Sequence, residues 1–287
     1  MILPREIVER IRALPETEQQ HAVVVLRSLV ASRRAVQPPR VLDPAAMAGV
    51  AGLEPDPWQL EVLRSTADRL LLNCSRQTGK STVTALLAIH TAHRRPESLV
   101  LLVSPSLRQS GELFKKAREI HAALDTTLET TAESALRLEL SNGSRIVSLP
   151  GNEQTVRGYS GVQLLAIDEA ARVPDDLYLS IRPMLAVSGG RLMALSTPFG
   201  TRGWWYEAWV SGEPWERFEI PAWRCPRISR EFLEAERQAM GSWWFAQEYE
   251  CRFQESESQP FERVFVEQAF SEKVDAWLLA PYLRDPG

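Results

Sequence analysis

The chain is most constrained by a set of short apolar runs: Leu70-Leu71-Leu72-Asn73, 98–103, 162–167 and 191–195. The first two are each followed by a stretch with helical spacing. Over 81–93, Val83, Leu86, Leu87 and Ile89 mark one face, and a second helix is expected over 107–123. Strands that are apolar on both faces and alternate with helices require a mainly parallel sheet covered on both sides. One segment breaks the rhythm. Leu136, Leu138 and Leu140 alternate with polar residues, Asn142-Gly143 supplies a turn, and 146–149 returns, the pattern of a β-hairpin. The expected fold is therefore α/β, with helices on either side of a central sheet.

Around this core the sequence predicts three regions. Residues 1–40 form a helical appendage with a possible break at Pro15, ending at Pro38-Pro39. Residues 41–253 form the main domain, entered through a Pro/Gly/Ala-rich connector over 43–57 and a helix over 58–68. Residues 254–287 form a C-terminal linker segment. A strand over 217–220 and helical spacing over 229–249 complete a small C-terminal subdomain. With 33 basic against 37 acidic residues the chain is not a generally basic nucleic-acid binder, so contact with a polyanion has to come from a local patch. Seven arginines oppose four glutamates in 1–40, whereas nine acids oppose four bases in 241–287. Three cysteines without a CxxC pair exclude a disulfide framework or a structural zinc as the organising feature. No apolar run is long enough to span a bilayer and no signal peptide is read at the N-terminus, so a reduced cytosolic compartment is expected.

The chemistry concentrates in Cys74-Ser75-Arg76-Gln77-Thr78-Gly79-Lys80-Ser81. This fits the phosphate-binding pattern GxxxxGK[ST] except that Cys74 replaces the first glycine. Gly79 lets backbone N–H groups approach a phosphate closely at a helix N-terminus, Lys80 reaches the β/γ-phosphates, and the Ser81 hydroxyl ligates Mg²⁺. The tripeptide alone is weak, but its place between an apolar strand and an amphipathic helix is the context that the motif demands. Leu164-Leu165-Ala166-Ile167-Asp168-Glu169 supplies the second half, 88 residues after Lys80. There Asp168 supports the metal through water and Glu169 orients and deprotonates the attacking water. Agreement of the two motifs in order and context reads as an ATPase fold that uses ATP and Mg²⁺.

These residues, with Arg157-Gly158-Tyr159-Ser160 and Ser196-Thr197-Pro198 followed by Gly200, resemble the large terminase subunit of tailed bacteriophages, over roughly residues 55 to 275. That resemblance implies an ATP-driven motor that moves double-stranded DNA into a preformed capsid, working in the host cytoplasm. The implied partners are a homo-oligomeric ring assembled on a portal protein, and a small terminase subunit; no membrane is involved. It implies that Gln59 senses adenine, that Ser75 to Thr82 (Ser75, Arg76, Gln77, Thr78, Gly79, Lys80, Ser81, Thr82) cradle the nucleotide, and that Arg76 senses γ-phosphate charge. Arg157, 12 residues before Glu169, would reach a neighbouring subunit's ATP, and Ser196 and Thr197 would couple hydrolysis to motion. The family normally continues into a nuclease domain with a carboxylate cluster. Only 34 residues follow Phe253, so no DNA cleavage is expected from this polypeptide. Two other readings fit the motifs, a helicase-like or remodelling DNA-dependent ATPase and a non-catalytic nucleotide-binding prophage remnant.

Other features read more simply. The late tryptophans (Trp204, Trp205, Trp209, Trp215, Trp223, Trp243, Trp244) are assigned to packing, and His21, His90, His93 and His121 to structural or surface positions. Arg224, Arg227 and Arg230, followed by Glu231, Glu234 and Glu236, read as a solvated helix face. Arg33, Arg34 and Arg40 are open to a DNA or partner contact, and Cys74 is a small residue tolerated in its loop.

Overall fold

A computed structural model describes residues 43–124, 128–151 and 158–255, together with single residues 15, 18, 19, 22 and 156. The N-terminal appendage, the segment beyond 255, His21, Arg33, Arg34, Arg40 and Arg157 lie outside the described residues, except for those single positions. In chain order the elements are α1 (Pro44–Val50), α2 (Pro57–Arg64), β1 (Arg69–Cys74), α3 (Lys80–Arg94), β2 (Leu99–Ser104) and α4 (Leu107–Ala123). There follow β3 (Thr130–Ser134), β4 (Arg137–Leu140), β5 (Arg145–Pro150), β6 (Val162–Asp168), α5 (Asp175–Ile181), β7 (Arg191–Ser196), α6 (Gly203–Val210), β8 (Glu216–Ile220) and α7 (Arg230–Tyr249).

The eight strands form one sheet in the order β3-β4-β5-β2-β6-β7-β1-β8. From β5 to β8 every neighbour is parallel, and β3, β4 and β5 pair antiparallel. Strand alternation sorts the apolar side chains into two cores. Leu70, Leu72, Val100, Leu102, Leu164 and Ala166 face α3, α4 and Trp58 of α2. Leu71, Leu101, Leu165, Ile167, Leu192 and Ala194 face the other layer, built from α5, α6 and Trp215. There Trp204 stacks on Tyr178 with centroids 3.8 Å apart, and its Nε1–H donates to the Val173 carbonyl. Trp204, Trp205 and Trp215 are buried, as a packing role requires, while Trp223 and Trp244 are exposed.

The expected strands and the helices over 81–93, 107–123 and 229–249 form within a residue or two of their sequence limits, but the helix expected over 58–68 stops at Arg64, where Ser65 leaves helical backbone as its C-cap. The connector does not stay irregular: Asp43 caps and Pro44 opens α1, and Met47 and Ala48 are buried, so a two-turn helix packs within it. The hairpin gains a third strand, β3, whose five residues are all exposed and so carry no hydrophobic signal. Arg217 of β8 donates to the carbonyls of Ala208, Trp209, Ser211 and Trp215, satisfying the C-terminal carbonyls of α6 and pinning the edge strand to it. Helix α7 is bent at Gly241, where φ is +78°, and it packs Phe245 and Tyr249 on Ala222 as a small third cluster.

Candidate nucleotide site

Parallel sheets of this kind bind ligands beyond the carboxyl ends of their strands. Three adjacent strands deliver the expected residues there. β1 runs into the loop 75–79, β6 ends at Asp168, and β7, which lies between them, ends at Ser196. The register pairs Asn73 with Ser196 and Asp168 with Leu195, so the three strand ends stop side by side.

Gly79 is the N-cap of α3 with φ +93°, a left-handed conformation that glycine alone adopts without strain. A Cβ there would lie 2.7 Å from Gln59 Nε2 and 3.2 Å from Arg227 Nη2. Gln77 (φ 58°) is the other left-handed residue of the loop. The backbone N–H groups of Thr78, Gly79, Lys80 and Ser81 donate to no carbonyl among the described residues. That leaves a set of free donors at a helix N-terminus, which is what phosphate oxygens require.

Lys80 is largely but not fully buried, and its Nζ lies 3.2 Å from Glu169 Oε1. Burial alone would lower the lysine pKa, but the Glu169 and Asp168 carboxylates outweigh it and raise the value. Asp168 is pushed up to about 6 by burial, with Lys80 opposing the shift. Glu169 is held in a left-handed conformation (φ 50°, ψ 43°), and its N–H donates to Asp168 Oδ1 at 3.0 Å. Such a backbone costs a non-glycine residue about 1–2 kcal/mol, and it turns the Glu169 side chain off the strand axis toward Lys80. Ser81, Asp168 and Glu169 share a cavity of about 310 Å³ with Arg108, Gln109, Glu112 and Lys116 of α4. A hydroxyl and a buried carboxylate on one cavity are oxygen ligands of the kind that a divalent cation takes. A larger cavity of about 730 Å³ lies at the opposite end of β1 and β7, between Arg64, Arg94 and Arg191, and contains none of the predicted site residues.

Other predicted residues sit around this centre. Gln59 is buried; its Oε1 accepts from Asp56 N–H (2.8 Å) and its Nε2 donates to the Gly79 carbonyl (3.4 Å). Ser75 is fixed by its N–H on the Ile220 carbonyl, and Thr78 Oγ1 donates back to the Ser75 carbonyl. The N–H of Thr82 closes on Gly79 as α3 begins. Arg76 turns away from the cavity: its N–H donates to the Glu248 carbonyl and its guanidinium pairs with the Glu248 carboxylate of α7. Ser196 Oγ donates to the Thr197 carbonyl at 2.8 Å, and both residues are buried. Just beyond them, Arg172 lies 4.2 Å over the Phe199 ring, which brings together the loops after β6 and β7. Burial pushes the Cys74 thiol up to about 12, so it stays protonated and is no nucleophile.

The solvated-face reading fails for two arginines. Arg224 pairs with Glu61 of α2 at 3.0 Å, and Arg227 pairs with Asp56 at 2.9 Å while donating to the Thr78 carbonyl at 2.9 Å. Both precede α7 rather than lying on it. The adjacent glutamates suggested a charged helix surface, and nothing local in sequence announces partners some 160 residues upstream.

Comparison with known proteins agrees with this fold. Residues 71–230 match the family "Terminase large subunit, T4likevirus-type, N-terminal". The large terminase subunit of Thermus phage G20c is 26% identical over 270 residues, covering 81% of this chain and 53% of its own length, and that of Thermus virus P23-45 is 25% identical. The chain thus spans about half the length of these relatives. The large terminase ATPase domain of Thermus phage P74-26 superposes with a TM-score of 0.66 at 25% identity, over 74% of this chain and all of that one. The large terminase of thermophilic bacteriophage D6E in complex with ATP-gamma-S superposes with a TM-score of 0.58 at 12% identity, over 69% of this chain and 52% of that one, a likeness of fold alone. Since the family match takes in more than half of the residues, this chain belongs to the terminase large subunit family.

Proposed function

We propose that the chain is a Mg²⁺-dependent ATPase that drives double-stranded DNA into a capsid as part of a terminase. The observation that carries this reading is the Lys80–Glu169 pair beside Ser81 and Asp168, at the ends of β1 and β6. Lys80 and the free N–H groups of the loop hold the β/γ-phosphates, and Ser81 with Asp168 holds the cation. A divalent cation held by Ser81 and Asp168 would supply positive charge against the negative charge that develops on the phosphates. Among the described residues no three His, Cys, Asp or Glu side chains form a ligand cluster, so a cation here depends on Ser81, Asp168 and the nucleotide together.

Glu169 is the general base. Without nucleotide it is neutralised by Lys80; a triphosphate that recruits Lys80 frees the carboxylate to take the proton of the attacking water. Gln59 meets the adenine edge. Arg76 reaches the γ-phosphate only if its pair with Glu248 opens, which ties that step to α7. Arg157, from a neighbouring subunit of a ring, supplies a positive charge to the transferring phosphoryl group. Ser196 ends the strand between the phosphate loop and Glu169 and Thr197 follows it, and the Arg172–Phe199 contact extends that link to the loop surface, a path by which hydrolysis would move the rest of the domain. Because Arg157 would come from a neighbouring subunit of the ring, hydrolysis is expected to be weak in the isolated chain.

The test is ATP turnover with Mg²⁺, with and without double-stranded DNA. Stimulation by DNA that is lost in Lys80→Ala supports a DNA motor. Turnover indifferent to duplex DNA under all conditions contradicts the coupling.

A further inference from the structure

Gln59 can read a base only if its amide is held one way round. A free amide rotates about its last bond and presents donor and acceptor in either order. On its Watson–Crick edge adenine offers an amino donor beside a ring acceptor, whereas guanine offers a carbonyl acceptor beside a ring N–H donor. An amide free to turn therefore accepts both.

Here the amide is not free to turn. Its Oε1 must face the Asp56 N–H at 2.8 Å, because only the oxygen can accept that proton, and its Nε2 then faces the Gly79 carbonyl at 3.4 Å. One lone pair of Oε1 and one N–H of Nε2 remain for a base. Asp56 in turn is held by Arg227: Nη1 donates to Oδ1 at 3.0 Å, Nη2 lies 2.9 Å from Oδ2 as an ion-pair contact, and Nη2 donates to the Thr78 carbonyl at 2.9 Å. The Asp56 side chain is only 7% exposed, whereas its partner Arg227 is half-exposed. The contacts close a ring: Asp56, Gln59, two consecutive carbonyls of the phosphate loop, and Arg227. The missing Cβ of Gly79 leaves room for both side chains over the loop.

We propose that Arg227 is a specificity-determining positioning residue: by clamping Asp56 to the Thr78 carbonyl it locks the Gln59 amide in the orientation that accepts adenine and rejects guanine nucleotides. This rests on the reading that the base of the nucleotide lies against Gln59. Arg227 does the work through a planar fork that serves a carboxylate and a carbonyl together, which a lysine cannot reproduce.

The experiment is equilibrium displacement of a fluorescent ATP analogue by ATP and by GTP, with Mg²⁺, on the full chain, with thermal melts to establish folding. The wild type is expected to prefer ATP by about tenfold or more, as one well-placed bidentate base contact discriminates. In Arg227→Ala the preference collapses to within about threefold, because ATP binds more weakly and GTP better. Arg227→Lys keeps a cation beside Asp56, so it remains folded and shows an intermediate preference; it carries the test if the alanine variant does not fold. Gln59→Ala also loses the preference. A folded Arg227 variant that keeps the wild-type ATP:GTP ratio overturns the inference while leaving nucleotide binding intact. A wild type that binds both nucleotides equally overturns it too, and one that binds neither overturns the proposed function with it.

Discussion

At the scale of single residues, the site stores an electrostatic cost that nucleotide and cation would relieve. Asp168 is buried beside Glu169, and its pKa of about 6 lies above the ordinary aspartate value of 3.8. The folded state therefore holds its proton more tightly than the unfolded chain, and the stability that this gives is present below about pH 4 and lost as pH rises through 6. Asp168→Asn should thus stabilise the nucleotide-free protein at pH 8 by on the order of 1–3 kcal/mol, with the gain fading toward pH 4, while abolishing hydrolysis. Denaturant melts of the two proteins at both pH values check this, and a variant less stable than wild type at pH 8 contradicts it. His93 works in the opposite direction. Burial between α3 and α4 lowers its pKa to about 4, and its Nε2 lies 3.1 Å from His121 Nδ1. The unfolded chain takes up a proton first, so this contribution to stability is present above pH 6.5 and disappears as pH falls to 4. His93→Gln should flatten the acid limb of the stability profile over that window, and an unchanged limb argues against it.

At the scale of elements, what could be read in advance followed from burial. Apolar strands such as 98–103 and 162–167 announced themselves because both of their faces are covered, and Asn142-Gly143 marked its turn because few dipeptides accept that backbone. β3 escaped because all five residues are exposed, and α5 and α6 because helices of seven and eight residues offer too few turns for a period. The phosphate loop and Asp168-Glu169 were legible because their chemistry is local in sequence. Arg227 was not, since its partners Asp56 and Thr78 are joined to it only by the fold. Long-range polar pins of this kind hold the elements in place. Arg217, with carbonyls of the α6 terminus and the following turn on its guanidinium, leaves several part-buried acceptors unpaired when truncated. Arg217→Ala is expected to cost about 2–4 kcal/mol and to raise hydrogen exchange in α6 and β8 before the rest of the sheet; uniform exchange across the sheet would contradict that role.

At the scale of the whole molecule, the phosphate loop is fastened on two sides to the segment around α7. Arg76 pairs with Glu248, Asn73 Nδ2 donates to the Cys251 carbonyl, and Arg227 grips the Thr78 carbonyl. On the proposed reading, a change at the phosphates would reach α7 through contacts that already exist, giving the proposed motor a lever without a separate hinge. On this account the base is Glu169 and the arginine that completes the site comes from another subunit. The most direct measurement is the steady-state ATPase rate with Mg²⁺ across protein concentration, wild type beside Glu169→Ala. The expected result is a rate that rises more than linearly with concentration and falls by about 10²–10⁴ in the variant. A rate that the variant leaves unchanged, or the absence of hydrolysis at every concentration with DNA present, would contradict the account.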